Sequence, residues 1–371
     1  MKLIATILGW LLCAVFFALF IITLSLGRIV PAIPILIISI LVSPLFGKLF
    51  TSKGVKIMMY IIRTVLTVVL LFAFFMLSMI KVAKDPLYKT EDFRVNLQKV
   101  YNSKLEKWPV PYETRMVACD GGQAFVIISG PEDAPPVLLF HAASMGSWSW
   151  LYNVEVLAEN HRVYAIDYIG EPGKSNVTDE NSIPINTEGL NEMYDRIIDE
   201  LGITEPYDVV GASFGGFIAV NRAMHAPTEV KSVILLGPMG MNPATSSVNN
   251  KLILYMLFPL KPFQDGMFFW ALGDDPDVVA ETEEWFRLVL KGVTRKGAPP
   301  MTFTPEQLQA VEVPVLLVLG EKDQLVGDPE TVKPLALNVP DITIKVLPSA
   351  HLIAMEKPEE TNTLIAEFLR K

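Results

Sequence analysis

The sequence predicts a doubly wound, mostly parallel α/β sheet with an inserted helical segment, preceded by about three membrane-spanning helices. Three observations predict this architecture. Short apolar runs alternate with helical stretches after residue 85, one later interval lacks any strand-like run, and the first eighty residues are mostly apolar with few charges. Short, branched apolar runs that alternate with helices are typical of parallel strands covered by helices on both faces.

The N-terminal region, residues 1–84, is predicted to be an uncleaved membrane anchor. Its apolar runs lie at about 3–26, 29–46 and 57–80. The first run carries no charge and is long enough to cross a hydrocarbon core of ~30 Å. It is too long for the apolar region of a signal peptide and has no A-x-A-like cleavage site. The second run is shorter and contains three prolines, so two spans plus a re-entrant hairpin remain the alternative.

The distribution of lysine and arginine predicts the orientation of the anchor. The short loop 47–56, GKLFTSKGVK, carries three lysines and no acidic residue. Cations also lie on the other side of the three-span arrangement, but short loops weigh most, and basic short loops stay in the cytoplasm. We therefore expect a multi-pass protein of the cell membrane whose domain at 85–371 lies outside the cytoplasm, with the lipid bilayer as a partner.

The domain at 85–371 contains seven predicted strands. They lie in the runs QAFVIISG, PPVLLFHA, HRVYAIDY, YDVVGAS, KSVILLGP, VPVLLVLGEKD and ITIKVLPSAH. Helical stretches between them include NEMYDRIIDELG and one that starts at Phe214. The interval 239–305 has aromatic clusters but no strand-like run. Because open α/β sheets bind ligands at the carboxyl ends of their strands, we predict that 239–305 forms a helical cap over them.

Composition excludes several classes of function. The 371 residues have a formal net charge of −9 and include two cysteines, Cys13 and Cys119. Nucleic-acid binding needs a basic surface, which an acidic chain does not favour. Two distant cysteines make neither a disulfide framework nor a CxxC metal pattern. We expect no nucleic-acid partner, no metal and no other cofactor, and the composition leaves protein partners open.

The stretch GASFGG places Ser213 between a predicted strand and a predicted helix. A sharp strand-to-helix turn needs small neighbours, which Gly211, Gly215 and Gly216 provide. The pattern G-x-S-x-G is that of a nucleophile elbow, which presents a serine hydroxyl above the end of a sheet. A plain glycine-rich turn is the alternative for this motif alone.

A serine nucleophile needs a histidine base and an acid that holds the base in its tautomer. Of the four histidines, only His351 follows both Ser213 and a later strand-end acid, Asp323 in LVLGEKD. The order Ser, Asp, His is that of the α/β-hydrolases. A solvated loop histidine and a turn or helix-cap aspartate are the alternatives. We predict Ser213, Asp323 and His351 to be a catalytic triad.

An acyl-transfer site also needs donors for the oxyanion. We predict these to be the backbone N–H groups of Phe214, which follows the nucleophile, and of Ala143 in the loop HAASMGSWSW. Asp167, in DYIGEPGKSN, is expected to stabilise a turn beside the site, with a role as a second acid as the alternative.

From Tyr101 to the C-terminus the chain resembles the α/β-hydrolases in its HAAS loop, DYIGEPGKS turn, GASFG elbow, strand-end acid and late histidine. More narrowly, YNSKLEKWPVPYE, VIISGPEDAPPVLLFHAAS and LGEKD resemble the carboxylesterase NP family of Gram-positive bacteria, which cleave naproxen-type esters. The resemblance implies Ser213 as nucleophile, Asp323 as acid, where that family tends to have Glu, and His351 as base. Ala142 stands where that family's loop has Gly, and the apolar N-terminal runs are not part of its soluble members.

The function predicted from these features is that of a membrane-anchored serine hydrolase, a carboxylesterase that cleaves a small-molecule ester or a lipid through an acyl-enzyme on Ser213. The alternatives are a lipase or lysophospholipase acting on membrane lipids, and a membrane scaffold that retains a hydrolase fold without needing its catalysis. Aromatic residues of the cap are predicted to form the apolar entrance for the acyl chain, with a buried cap core as the alternative: Trp270, Phe268, Phe269 and Trp285.

Overall fold

The computed structural model describes residues 16–17, 85–242, 273 and 275–370. The chain divides into two compact units, Met1–Val82 and Ala83–Lys371. The apolar runs at 3–26, 29–46 and 57–80 lie outside the described residues, apart from the helical pair 16–17. Within the described residues, none of the helices combines the length and the apolar character that a membrane span requires.

The strands of the described residues form one sheet of nine. Their bounds are β1 Tyr112–Cys119, β2 Gly122–Ser129, β3 Pro136–Phe140, β4 Arg162–Ile166, β5 Asn176–Val177, β6 Tyr207–Ala212, β7 Val230–Leu236, β8 Val315–Gly320 and β9 Ile342–Leu347. The sheet order is β1-β2-β4-β3-β6-β7-β8-β9, and β5 pairs with β2. The pairs β1–β2 and β2–β4 are antiparallel, whereas all pairs from β4–β3 to β8–β9 are parallel. The predicted mostly parallel sheet is therefore confirmed.

Helices occupy the connections of this sheet. The α-helices are α1 Glu91–Leu105, α2 Val154–Ala158, α3 Thr187–Leu201, α4 Phe214–His225, α5 Pro276–Gly292, α6 Pro305–Gln309, α7 Pro329–Ala336, α8 Ile353–Glu356 and α9 Pro358–Leu369. Two short 3₁₀ helices lie at Ser147–Tyr152 and Glu180–Ser182. The helices α3 and α4 coincide with the two stretches that the sequence predicts to be helical.

The centre of the sheet forms the core of the unit Ala83–Lys371. All residues of β3 and β8 are buried, because their Val, Leu and Phe side chains are covered on both faces of the sheet. Each fully buried aliphatic or aromatic side chain contributes roughly 1.5–3 kcal/mol relative to an exposed one. This core fixes the carboxyl ends of β3, β6, β7 and β8, where the candidate site lies.

The predicted cap interval 239–305 is only partly described. Its residues 243–272 and 274 lie outside the described residues, and with them Phe268, Phe269 and Trp270. The described part contains α5, whose N-terminus is capped by the Asp275 side chain through the N–H groups of Asp277 and Val278.

Candidate active site

Ser213 lies on a sharp turn between the end of β6 and the start of α4. Its φ is 52° and its ψ is −112°, and its N–H donates to the carbonyl of Leu236 on β7 at 3.0 Å. The neighbouring glycines are required by close backbone approaches. A Cβ on Gly215 would lie 1.9 Å from the carbonyl oxygen of Phe140, and one on Gly211 would lie 2.3 Å from that of Gly215. Only glycine fits these positions, so the turn lifts the serine hydroxyl above the sheet.

The structure brings the three predicted triad side chains together. The hydroxyl of Ser213 lies 2.8 Å from Nε2 of His351, and Nδ1 of His351 lies 2.8 Å from Oδ2 of Asp323. Asp323 follows β8, and His351 lies in the loop after β9, so two adjacent strands deliver the acid and the base. All three residues are at most 6% exposed. This arrangement allows Ser213 to pass its proton to His351.

The acid is itself held by the backbone. Oδ1 of Asp323 accepts hydrogen bonds from the N–H groups of Leu325 at 2.8 Å and Val326 at 3.0 Å. Its other oxygen is thereby left for Nδ1–H of His351, which places the acceptor nitrogen of the imidazole, Nε2, toward Ser213. The hydrogen bonds thus fix the tautomer that a general base needs.

The environment of His351 raises its pKa above the ordinary 6.5. Burial by itself lowers the pKa, because it disfavours the imidazolium. The negative charge of Asp323, its hydrogen bond and the charge of Glu356 outweigh burial. The site therefore favours the imidazolium that forms when the histidine accepts a proton.

The sequence did not single out Glu356, which braces the loop carrying His351. Its carboxylate accepts hydrogen bonds from the N–H groups of Ala350 at 2.7 Å and Leu352 at 3.1 Å, one on each side of His351. Burial raises the pKa of Glu356, and the two hydrogen bonds oppose that rise. No pattern in SAHLIAMEKP signals this contact, since it depends on the tight turn between β9 and α8.

The two predicted oxyanion donors are backbone amides in the segments that follow β3 and β6. Phe214 N–H is the first amide of α4, and Ala143 follows β3 in the loop 141–147. Neither amide hydrogen-bonds to another group in the described part of the chain. His141 begins this loop: its Nδ1 donates to the carbonyl of Ala142 at 2.8 Å, and its Nε2 accepts from Tyr168 N–H at 3.2 Å. The contacts of His141 therefore shape the loop.

Asp167 holds the far end of the same loop. Its carboxylate accepts hydrogen bonds from the Tyr101 hydroxyl at 2.8 Å, from Ser147 N–H at 2.7 Å and from Lys174 N–H at 2.7 Å. These three donors favour the turn-stabilising role expected for Asp167 over a role as a second acid.

A small apolar cavity lies beside Ser213. In the described part of the chain its lining includes Met145, Trp150, Leu236, Ile353 and Met355, together with Ser213 and His351. Its free volume is about 20 Å³, which is room for about one water molecule. Two of the lining side chains are methionines, Met145 and Met355, and methionine adapts its shape more readily than other apolar residues.

Trp285 is not at this cavity, contrary to its predicted place at an apolar entrance. It is fully buried on α5. Its ring packs edge-on against those of Trp148 and Tyr101, with centroid separations of 5.5 Å and 5.9 Å. Trp285 is therefore a residue of a buried core, which is the alternative that the sequence left open for it. The described residues also contain no group of three His, Cys, Asp or Glu side chains arranged to hold a metal ion.

Comparisons with known proteins agree with this geometry. A family model described as alpha/beta hydrolase fold matches residues 135–267. The uncharacterized carboxylesterase nap of Bacillus subtilis (strain 168) is 30% identical over 301 residues, covering 75% of this chain and 93% of that protein. Monoacylglycerol lipase ABHD6 of Bos taurus is 24% identical over 268 residues, covering 64% of this chain and 76% of that protein.

A solved structure extends the likeness to three dimensions. The crystal structure of naproxen esterase (carboxylesterase NP) from Bacillus subtilis matches with a TM-score of 0.68 and 28% identity, covering 75% of this chain and 99% of that one. The resemblance to the carboxylesterase NP family that the sequence indicates is confirmed as homology. The chain therefore belongs to the α/β-hydrolase family as a homologue of Bacillus carboxylesterases, and it is a hydrolase.

Proposed function

We propose that this hydrolase is a serine carboxylesterase that forms its acyl-enzyme on Ser213. The observation that carries the proposal is the pair of 2.8 Å contacts that link Ser213 to His351 and His351 to Asp323. An aligned serine, histidine and aspartate perform acyl transfer on several unrelated folds. The homologous relatives are named as carboxylesterases, which favours an ester over an amide as the substrate.

The reaction proceeds in two halves. His351 Nε2 accepts the proton of Ser213 as the serine oxygen attacks the ester carbonyl carbon. The carbonyl oxygen becomes an oxyanion, which the N–H groups of Ala143 and Phe214 stabilise. The tetrahedral intermediate collapses, and His351 gives its proton to the departing alcohol. Water then attacks the acyl-enzyme with His351 again as base, which releases the acid and restores Ser213.

We further propose that residues 1–84 anchor the enzyme in the cell membrane and that the domain at 85–371 lies outside the cytoplasm. The support is in the sequence: the apolar runs at 3–26, 29–46 and 57–80, and the basic short loop 47–56. An anchored esterase meets substrates that partition into the bilayer.

A second candidate substrate class is a lipid ester. The match to monoacylglycerol lipase ABHD6 favours it, since that relative is named for an acyl ester of glycerol. A monoacylglycerol or lysophospholipid presents one acyl chain, and an anchored enzyme reaches such a lipid without extracting it from the membrane.

The experiment that tests the proposal is a hydrolysis panel with the full-length protein in detergent. The panel contains p-nitrophenyl esters of increasing acyl length, naproxen methyl ester, a monoacylglycerol, a lysophospholipid and an anilide of the best acyl group. We expect turnover of esters, little turnover of the anilide, and none by Ser213→Ala. Preference for the monoacylglycerol over the simple esters would favour the lipid candidate. A folded protein that hydrolyses no ester would refute the esterase function.

A further inference from the structure

The backbone of Ser144, in the loop that carries Ala143, is held from both sides by residues outside the loop. Its N–H donates to Oε2 of Glu171 at 2.8 Å, and its carbonyl accepts from Nε1 of Trp285 at 2.7 Å. Ser144 has a φ of 63°, a left-handed conformation that residues other than glycine rarely adopt. The two hydrogen bonds therefore stabilise a conformation that the serine would otherwise tend to leave.

The two groups that hold Ser144 are themselves firmly placed. Trp285 is fully buried, and so is the side chain of Glu171. The buried carboxylate of Glu171 is paired with the guanidinium of Arg295, because a buried charge without a partner would be costly. Arg295 also lies 5.9 Å from the ring centroid of Phe214, the residue after the nucleophile. We call Glu171, Trp285 and Arg295 the loop clamp.

The clamp joins parts of the chain that are distant in sequence. Glu171 follows β4, whereas Trp285 lies on α5 and Arg295 three residues beyond its end. The loop is also tied at His141 by Tyr168 N–H and at Ser147 by Asp167. Ser144 lies between these two ties, so its conformation decides where the adjacent Ala143 amide sits.

We propose that Trp285 and Glu171 are positioning residues that align the Ala143 N–H with the oxyanion of the tetrahedral intermediate. This inference rests on the proposed esterase function and deepens it. A donor in an oxyanion hole acts only when it is preorganised toward the position that the negative oxygen will occupy. Without the clamp, Ser144 relaxes toward a negative φ and the amide turns away. The transition state then loses stabilisation, while binding of the neutral ester changes little.

The test compares Trp285→Phe with Trp148→Phe in the full-length protein. Both tryptophans are fully buried in the same aromatic cluster, but Trp148 Nε1 has no hydrogen-bond partner in the described part of the chain, whereas Trp285 Nε1 holds the Ser144 carbonyl. Each change keeps an aromatic ring and removes an indole N–H. Only the change at Trp285 removes a hydrogen bond to the loop.

Three quantities are measured for each variant: kcat and KM on the best p-nitrophenyl ester, and the inhibition constant of an alkyl trifluoromethyl ketone. The ketone is attacked by Ser213 and forms an oxyanion, so its affinity reports the oxyanion donors. For Trp285→Phe we expect kcat to fall by roughly tenfold to a hundredfold, as small misplacements do, with KM nearly unchanged. The inhibition constant should rise by the same factor as kcat/KM falls. Trp148→Phe should leave all three values within about twofold.

Glu171→Gln provides a second, independent variant. Glutamine can still accept from Ser144 N–H through its amide oxygen, but it loses the charge that pairs with Arg295. We expect a smaller fall in kcat than for Trp285→Phe, matched by a proportional loss of affinity for the ketone.

The inference is overturned if Trp285→Phe only lowers the melting temperature and leaves the ketone's inhibition constant unchanged, because that result assigns Trp285 to packing alone. It is also overturned if Trp148→Phe and Trp285→Phe have equal effects. Failure of the proposed function gives a different result, since the unchanged protein would then neither hydrolyse esters nor bind the ketone.

Discussion

At the scale of single residues, His351 is distinguished from the other histidines by its contacts. Its ring bonds both Ser213 and Asp323, whereas the exposed ring of His225 bonds only Asp195, at 2.8 Å, among the residues that the structure describes. We expect His351→Asn to lower kcat by several orders of magnitude, as loss of a triad base does. His225→Asn and His161→Asn should retain nearly full activity in the same ester assay. A variant at His225 as damaging as the one at His351 would contradict the assignment of the base.

The pH dependence of activity follows from the raised pKa of His351. The base works only when neutral, so kcat/KM should fall as the pH drops through this pKa, and the acid limb should lie above pH 6.5, the ordinary value for histidine. Asp323→Asn removes the main influence that raises the pKa of His351. It leaves burial, which lowers the pKa, opposed by the smaller influence of the Glu356 charge. The residual activity of that variant, reduced by roughly four orders of magnitude, should therefore show an acid limb at lower pH.

The measurement is a pH profile of kcat/KM for the unchanged protein and for Asp323→Asn on one activated ester. Rates that are the same in different buffers show that the acid limb of the profile reflects pH alone. The melting temperature at each pH separates titration of His351 from unfolding of the protein. An acid limb that does not move, or that moves to higher pH, would show that Asp323 does not set the charge of His351.

At the scale of elements, the elbow depends on how closely α4 approaches β3. The Cβ of an alanine at 215 would lie 1.9 Å from the Phe140 carbonyl oxygen, so the helix and the strand must separate. We expect Gly215→Ala to lower the free energy of unfolding by about 3 kcal/mol or more and to lower kcat strongly. Urea unfolding of the two proteins measures the first effect.

A matched glycine gives the control for this prediction. Gly202, the C-cap of α3, has a φ of 73° but no atom within 4 Å of an added Cβ. Gly202→Ala should lower the free energy of unfolding by only about 1–2 kcal/mol, which is the cost of placing a residue with a side chain in the left-handed conformation. Its kcat should be unchanged. Equal losses at positions 215 and 202 would contradict the account of the elbow as a close-contact turn.

The elements also show what the sequence could and could not predict. The seven strands from β2 to β4 and β6 to β9 were predictable, because most of them are nearly continuous apolar runs buried in the sheet. The strand β1 was missed because its first five residues, 112–116, are all exposed and give no apolar alternation. The two-residue strand β5 is too short to leave a pattern.

The candidate site, too, could be predicted only where its residues leave a pattern in the sequence. Ser213, Asp323 and His351 were found because each type of residue has a fixed place at a strand end. Glu356 and Glu171 were missed, and Trp285 was given another role, because each of them binds backbone atoms of a loop, and such partners carry no sequence signal. Trp285 binds the Ser144 carbonyl across 141 positions of the chain, so only the folded structure shows that its indole serves the loop rather than an entrance.

At the scale of the whole molecule, the unit Ala83–Lys371 contains every candidate catalytic group. Its first described residue is part of the fold: the carboxylate of Asp85 accepts from Leu87 N–H at 2.9 Å and from Val177 N–H at 3.2 Å. A truncated protein should therefore begin at Ala83 rather than later. We expect it to fold and to match the full-length protein on short soluble esters.

The two proteins should differ on long-chain esters held in vesicles. The proposed anchor would raise the effective concentration of substrate in the same bilayer, so the full-length protein should be faster by about tenfold or more. The hydrolysis rates of both proteins are measured on the long-chain esters in vesicles and on the short soluble esters, which serve as the internal control. Equal rates on the vesicle substrate would mean that residues 1–82 give no advantage on membrane esters.

The central claim, that Ser213 is the activated nucleophile of this hydrolase, is tested most directly by fluorophosphonate labelling of the full-length protein followed by peptide mass spectrometry. We predict one adduct, on Ser213, that is absent from Ser213→Ala and forms far more slowly in His351→Asn, because an unactivated serine hydroxyl reacts poorly. The folded protein remaining unlabelled, or Ser213→Ala being labelled at the unchanged rate, would contradict it.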